Sequence, residues 1–208
     1  MFRSREHAAE RLAVRLIGYR GHRPLVLAVP RGGVPMGRII ADALDGELDV
    51  VLVHKIGAPG HAEYAIGAVD ENGHAEFSAI AHEVRPDYLH TEVQRLVLHL
   101  QARRQRYGRP PADPSARTVI VVDDGVATGA TLLAALRLLA AQHPARLVAA
   151  VAVAPRETLA ALGDVADEVV CLETPNWFRS VGEHFEDFRQ ISDDEVEALL
   201  AAQTTTTQ

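Results

Sequence analysis

Two adjacent aspartates, Asp123 and Asp124, close an apolar run and are followed by "GVATGAT", residues that offer little but backbone. Carboxylates so placed can hold sugar hydroxyls or a divalent cation. The small side chains after them let an oxyanion reach the unpaired amides at a helix start, where the dipole is positive. Thr128 and Thr131 add hydroxyl donors. Carboxylates repel phosphate, so the two features suit opposite ends of one ligand: a phosphorylated ribose. The bland alternative is a strand-to-helix turn that happens to carry aspartates. Neither GxGxxG nor GxxxxGK[ST] occurs, so dinucleotide and nucleoside-triphosphate loops lose support.

Two further groups carry chemistry. "PRGG" (30–33) offers a glycine pair for close backbone approach and an arginine for a charge-assisted contact with an anion. On its own it also reads as an ordinary turn. Lys55 is the one lysine among 21 Lys and Arg residues. Lysine binds phosphate well as a point charge, although a single lysine is usually a surface residue.

The elements that must position these groups follow from periodicity. Residues 5 to about 17 form a helix capped by Ser4, with Ala8, Ala9, Leu12, Leu16 and Ile17 on one face. "PLVLAVP" (24–30) and "DVVLVHK" (49–55) are buried strands around a helix, a βαβ unit. Residues 56–64 read as a mobile loop. A hairpin follows around Asn72-Gly73, a turn in which both central positions would take positive φ. Residues 86–107 form an amphipathic helix with Leu89, Val93, Leu96, Val97 and Leu100 inward. Its other face, with Arg95, Arg103, Arg104 and Arg106, reads as solvated; a dimer or polyanion surface is the alternative. After a linker at 110–116 the alternation resumes: strand at 118–124, helix at 128–142, strand at 145–154, helix at 156–162, strand at 168–172. At 191–202 Ser192 and Glu195 make a capping box, with Ile191 stapled on Val196. The fold class is therefore α/β, a doubly wound, mainly parallel five-stranded sheet with a β-hairpin and flexible-loop insertion.

Composition bounds the function. The 208 residues are 48% hydrophobic, enough for one globular α/β domain. A net charge of -7 argues against a general nucleic-acid binder. Cys171 is the sole cysteine, which rules out an internal disulfide and points to a reducing, cytoplasmic setting. Charged residues at 6, 10, 11 and 15 interrupt any signal-peptide core, and no apolar run approaches the ~18 residues of a membrane helix.

"TVIVVDDGVATGAT" resembles the signature of the type I phosphoribosyltransferases, and the similarity extends from Pro24 to about Leu172. The resemblance implies one domain over 1–208, with a core at about 24–172, a flexible loop and hairpin at 56–78 and a C-terminal hood at 173–202. It implies transfer of the phosphoribosyl group of 5-phosphoribosyl 1-pyrophosphate (PRPP) to a nucleobase-like acceptor, with Mg²⁺ as cofactor and pyrophosphate released. Asp123 and Asp124 would bind the ribose hydroxyls, and Ala127, Thr128, Gly129, Ala130 and Thr131 the 5-phosphate. Arg31, Gly32, Gly33 and Lys55 would hold the pyrophosphate, with Arg31 and Lys55 stabilising its departure. Mg²⁺ would be carried by PRPP oxygens, with no direct protein ligand and water bridging to Asp123 and Asp124.

By the same resemblance Glu63 is the loop residue placed to handle a proton at the base. Trp177, Phe178 and Phe185 are either hood aromatics against the base or ordinary core. The pyrophosphate loop would contain a cis or otherwise strained Pro30–Arg31 peptide. Ala127 stands where members using 6-oxopurines carry an aspartate, so hypoxanthine and guanine are expected to be poor substrates. A homo-oligomer, and no membrane or nucleic-acid partner, complete the expectation. The competing class is a non-catalytic PRPP-sensing regulator of the same fold, for which the arginines at 95–109 would supply a basic surface.

Overall fold

Short runs that are apolar on both faces can be satisfied only inside a sheet covered on both sides. A computed structural model describes residues 1–202, and for Ala62 and Glu63 the backbone alone. β1 (Leu25–Ala28) is buried along its whole length and pairs in parallel with β2 (Glu47–Val50) and β6 (Thr118–Asp123). β7 (Arg146–Val153) and β8 (Glu168–Glu173) complete a five-stranded sheet of order β2-β1-β6-β7-β8. Alternation along β6 divides the core. Ile120 and Val122 face the layer of α1 (Arg5–Arg15), α2 (Gly33–Ala43) and α6 (Asp193–Ala201). Val119 and Val121 face α4 (Ala130–Ala140) and α5 (Arg156–Gly163). The α/β class and the five-stranded sheet are as expected.

Ser4 caps α1 by accepting from the His7 amide, and the Ser192–Glu195 capping box is formed with Ile191 and Val196 buried. Among the described residues no helix is long and apolar enough to cross a membrane.

The region after β2 departs from expectation. The second core strand stops at Val50, and Val53–Ala58 is β3 of a separate antiparallel sheet with β4 (His61–Asp70) and β5 (Ala75–Phe77). A continuous apolar run marks burial, not the point where the chain leaves one sheet for another. Residues 56–64, expected to be a loop, are mostly the paired ends of β3 and β4, with irregular register at Ile56, Gly57 and Ala58. Small residues weaken a strand only on average, and here a paired neighbour holds them in the sheet.

The turn at Asn72-Gly73 is present between β4 and β5, but only Gly73 takes positive φ, at 86°. Asp70 organises it instead: its carboxylate accepts from the amides of Asn72 and His74, both at 2.9 Å. α3 (Pro86–Arg106) packs Leu96 against Ile56, Ile66 and Val69, giving this arm its own small core.

Arg104 corrects the reading of α3's outer face. It lies on the buried side, with Leu96 and Leu100. Its Nε and Nη2 each donate to Glu71 at 2.6 Å, Nη1 donates to Asp49 Oδ1 at 2.7 Å, and Nη2 also reaches the Val50 carbonyl at 2.9 Å. Asp49, with no exposed surface, accepts the Ala112 amide through Oδ2 at 2.9 Å. Burial pushes the Glu71 carboxyl up, and Arg104 only partly offsets this. The network ties the arm, the end of β2 and the 110–114 linker together.

Candidate functional site

The carboxyl ends of parallel strands form the edge at which α/β proteins collect ligands. β1 and β6 are paired neighbours, with Ala28 opposite Val122, so the segments that follow them meet. After β1 come Arg31, Gly32 and Gly33; Asp123 is the last residue of β6 and Asp124 follows it. The approach is close. A Cβ on Gly33 would stand 2.6 Å from the Val122 carbonyl oxygen, and one on Gly32 would collide with Asp124 Oδ2. Only glycine fits there. The Pro30–Arg31 peptide is cis.

The aspartates are not equivalent. Asp123 is half-buried, and its Oδ1 accepts the Asp124 amide at 2.9 Å. Burial, with the Asp124 charge beside it, pushes the Asp123 carboxyl well above the usual carboxylate range. Asp124 is buried and ion-paired: Oδ2 accepts from Arg5 Nε at 2.8 Å. Burial raises this carboxyl too, and Arg5 pulls it partly back. Arg5 also donates through Nη1 to the Arg189 carbonyl at 2.7 Å and lies over the Phe188 ring at 3.9 Å. One guanidinium therefore joins α1, the aspartate pair and the C-terminal segment. Arg5 was not among the residues picked from sequence. Its signal was its place on the stripe with Ala8, Ala9 and Leu12, where a charge must have a buried partner.

The loop continues to α4. Gly129 has φ 70°, and α4 has no side-chain cap at its N-terminus. Thr128 and Thr131 are exposed and Ala130 is half-buried. Thr158 of α5, also missed from sequence, fixes the turn by donating to the Ala127 carbonyl at 2.7 Å and lying where a Gly129 Cβ would go. It is a buried polar residue at the start of α5, a signal of the same kind as Arg5.

Lys55 is not at the end of a core strand. It is exposed on β3 of the arm and lines a cleft of about 200 Å³ between the arm and α4, shared with Ala130 and Leu133. Glu63's side chain lies outside the described residues. The hood aromatics separate: Phe185 is buried, Phe178 stacks on His184 at 5.5 Å, and Trp177 is 92% exposed, which removes the core alternative for it. Val181 of the same segment covers Gly125 so closely that a Cβ there would be 2.7 Å from it. Among the described residues no group of three or more His, Cys, Asp or Glu side chains could hold a metal. Two adjacent hard carboxylates, one of them partly exposed, do suit Mg²⁺ bound through water and a polyoxyanion.

Comparison with known proteins agrees with this architecture. The model of the phosphoribosyl transferase domain family matches residues 3–186. Two Mycobacterium tuberculosis proteins, from strains CDC 1551 and H37Rv and provisionally named as phosphoribosyl transferases, are each 38% identical over 96% of this chain. The chain spans 46% of their length. The crystal structure of a Thermus thermophilus protein, TT1426, superposes with a TM-score of 0.88 at 44% identity, covering 97% of this chain and 98% of that one. The chain belongs to the phosphoribosyl transferase domain family.

Proposed function

We propose that the chain transfers the 5-phosphoribosyl group of PRPP to a nucleobase-like acceptor. The observation that supports it best is the continuous edge in which Gly32 and Gly33 lie against Asp124 and Asp123, and Asp123 leads into the uncapped start of α4. In this reading the α4 amides with Thr128 and Thr131 hold the 5-phosphate. Asp123 faces the ribose diol, and Asp124 shapes the edge from its ion pair with Arg5. Arg31, the Gly32–Gly33 backbone and Lys55 hold the pyrophosphate. The transition state has oxocarbenium character, so the protein mainly holds the reactants in line and stabilises the departing charge. Mg²⁺ bound to PRPP would neutralise that charge further.

The regulatory alternative loses part of the free basic surface on which it leaned. Arg104 is buried, Arg95 pairs with Glu92 at 2.6 Å, Arg103 faces Asp193 at 3.6 Å, and Arg106 is engaged by Asp193, Asp194 and Glu197.

Calorimetry with PRPP and Mg²⁺ tests the site. Asp123→Asn is expected to weaken binding by about 1–3 kcal/mol, the scale of a lost hydrogen bond to a charged group. Unchanged affinity would remove Asp123 from the site. A nucleobase screen that follows pyrophosphate release then tests catalysis.

The acceptor prediction rests on Ala127, whose methyl can neither take nor give a proton. Its carbonyl is turned to Thr158, and the residue is exposed at the loop. A general base is typically worth ~10²–10⁴ in rate, so hypoxanthine and guanine should show kcat/KM far below the best acceptor. Efficient turnover of either would refute this.

A further inference from the structure

Arg31, the side-chain cation of the candidate pyrophosphate loop, is already engaged. Its Nη1 lies 3.6 Å from Oδ2 of Asp193, the first residue of α6, and this is its only ion pair among the described residues. The same carboxylate faces two arginines of α3: Arg106 Nη1 at 3.5 Å and Arg103 Nη2 at 3.6 Å. Oδ1 of Asp193 is buried and accepts no hydrogen bond among the described residues. The aspartate is thus held by surrounding charge rather than by short, directed bonds.

That arrangement favours exchange. The contact to Arg31 is long, and the Arg31 side chain is 40% exposed, so the pair is inexpensive to open. Releasing Arg31 does not strand Asp193, because Arg103 and Arg106 remain beside it. A phosphate oxygen at hydrogen-bond distance offers Arg31 a shorter, charge-assisted contact.

We propose that Asp193 is the resting counter-ion of Arg31 and sets the affinity of the loop for its polyanion, which must displace the carboxylate to bind. The inference rests on the pyrophosphate role given to Arg31 above.

Calorimetry with magnesium pyrophosphate tests it on the full chain. Asp193→Asn should bind about two- to fivefold more tightly than the unaltered protein, the range expected when a half-exposed ion pair no longer competes. A merely structural aspartate would give the opposite sign. Arg31→Gln should bind more weakly, and adding Asp193→Asn to it should bring no gain. If Arg31→Gln binds pyrophosphate as well as the unaltered protein, or the latter does not bind it, the pyrophosphate reading falls and this inference with it. If Arg31→Gln weakens binding but Asp193→Asn does not tighten it, or tightens it equally without Arg31, the inference alone is overturned. Should Asp193→Asn fail to fold, the unaltered protein still decides: its Asp193 carboxyl carbon resonance must shift when pyrophosphate saturates, and a resonance that stays put overturns the proposal.

Discussion

Arg104→Ala is expected to destabilise the protein by about 3–5 kcal/mol, the cost of leaving buried charge without its partner. Two buried carboxylates would lose that partner: Glu71, 6% exposed, and Asp49, which has no exposed surface and, of its ion pairs among the described residues, would keep only the longer contact to Arg109 at 3.9 Å. Only the guanidinium satisfies both, using three nitrogens in one plane, so Arg104→Lys should recover little of the loss. The deficit should also depend on pH. Glu71 is already raised by burial, and without Arg104 it rises further, so the folded variant holds a proton that the unfolded chain releases. Stability of the variant therefore falls as pH climbs from acid through the folded pKa, and the deficit shrinks again toward pH 4. Denaturant unfolding at pH 4.5 and 7.5 measures this. Arg95→Ala, on the exposed face of the same helix, is the control and should leave the midpoint unchanged. An equal effect from the two variants would show that the buried network has been misjudged.

Arg5→Gln should be nearly as severe, by about 3 kcal/mol or more at neutral pH, for the same reason. Its consequence for binding is larger. Asp124 touches the site of Gly32, so an unpaired Asp124 disturbs both the candidate pyrophosphate loop and the candidate diol edge at once. The sign with pH is again fixed by direction: Asp124 is raised by burial even with Arg5 present, and higher still without it. The stability lost in the variant is thus greatest above the folded pKa and recovers as acid protonates the carboxyl. PRPP binding should drop by more than in Asp123→Asn, which removes one charge and leaves the scaffold intact. Parallel unfolding and calorimetry at two pH values separate these effects. A variant with normal stability and normal PRPP affinity would dismiss Arg5 as an organiser of the site.

Much of the candidate site was legible because its parts are local. The 119–131 segment carries strand, acids, small residues and helix in one stretch, and each is dictated by its immediate neighbours. The parallel core was legible for the same reason, since runs such as Leu25–Ala28 and Leu147–Val153 are apolar throughout. What escaped depends on contacts far apart in the chain. Arg5 meets Asp124 across 119 residues, and Arg104 meets Asp49 across 55. Both arginines nonetheless sit on apolar stripes, beside Ala8 and Leu12 or Leu96 and Leu100. Read as pattern-breakers with an obligation to pair, they would have pointed inward. The departure after Val50 was illegible in another sense: Asp49 to Val53 suits either sheet, and the choice is made by Arg104 and the Ala112 amide, which arrive later. For Trp177 the core alternative fails, because aromatic character predicts burial only on average.

The Ala112 amide meets the Asp49 carboxylate at 2.9 Å, so the chain enters and leaves the arm at one point on the rim of the core. Everything between, three strands and a long helix, leaves and returns at that clasp without threading the parallel sheet. Such a segment behaves as a cassette: its length and contents can change while the strand order of the core does not, because the two cut ends stay in register. The candidate phosphate edge belongs to the chassis, whereas Lys55 and Glu63 travel with the cassette. Exchange of this one piece is therefore a short route by which the proposed sugar-phosphate grip, left fixed, could be refitted to a different acceptor.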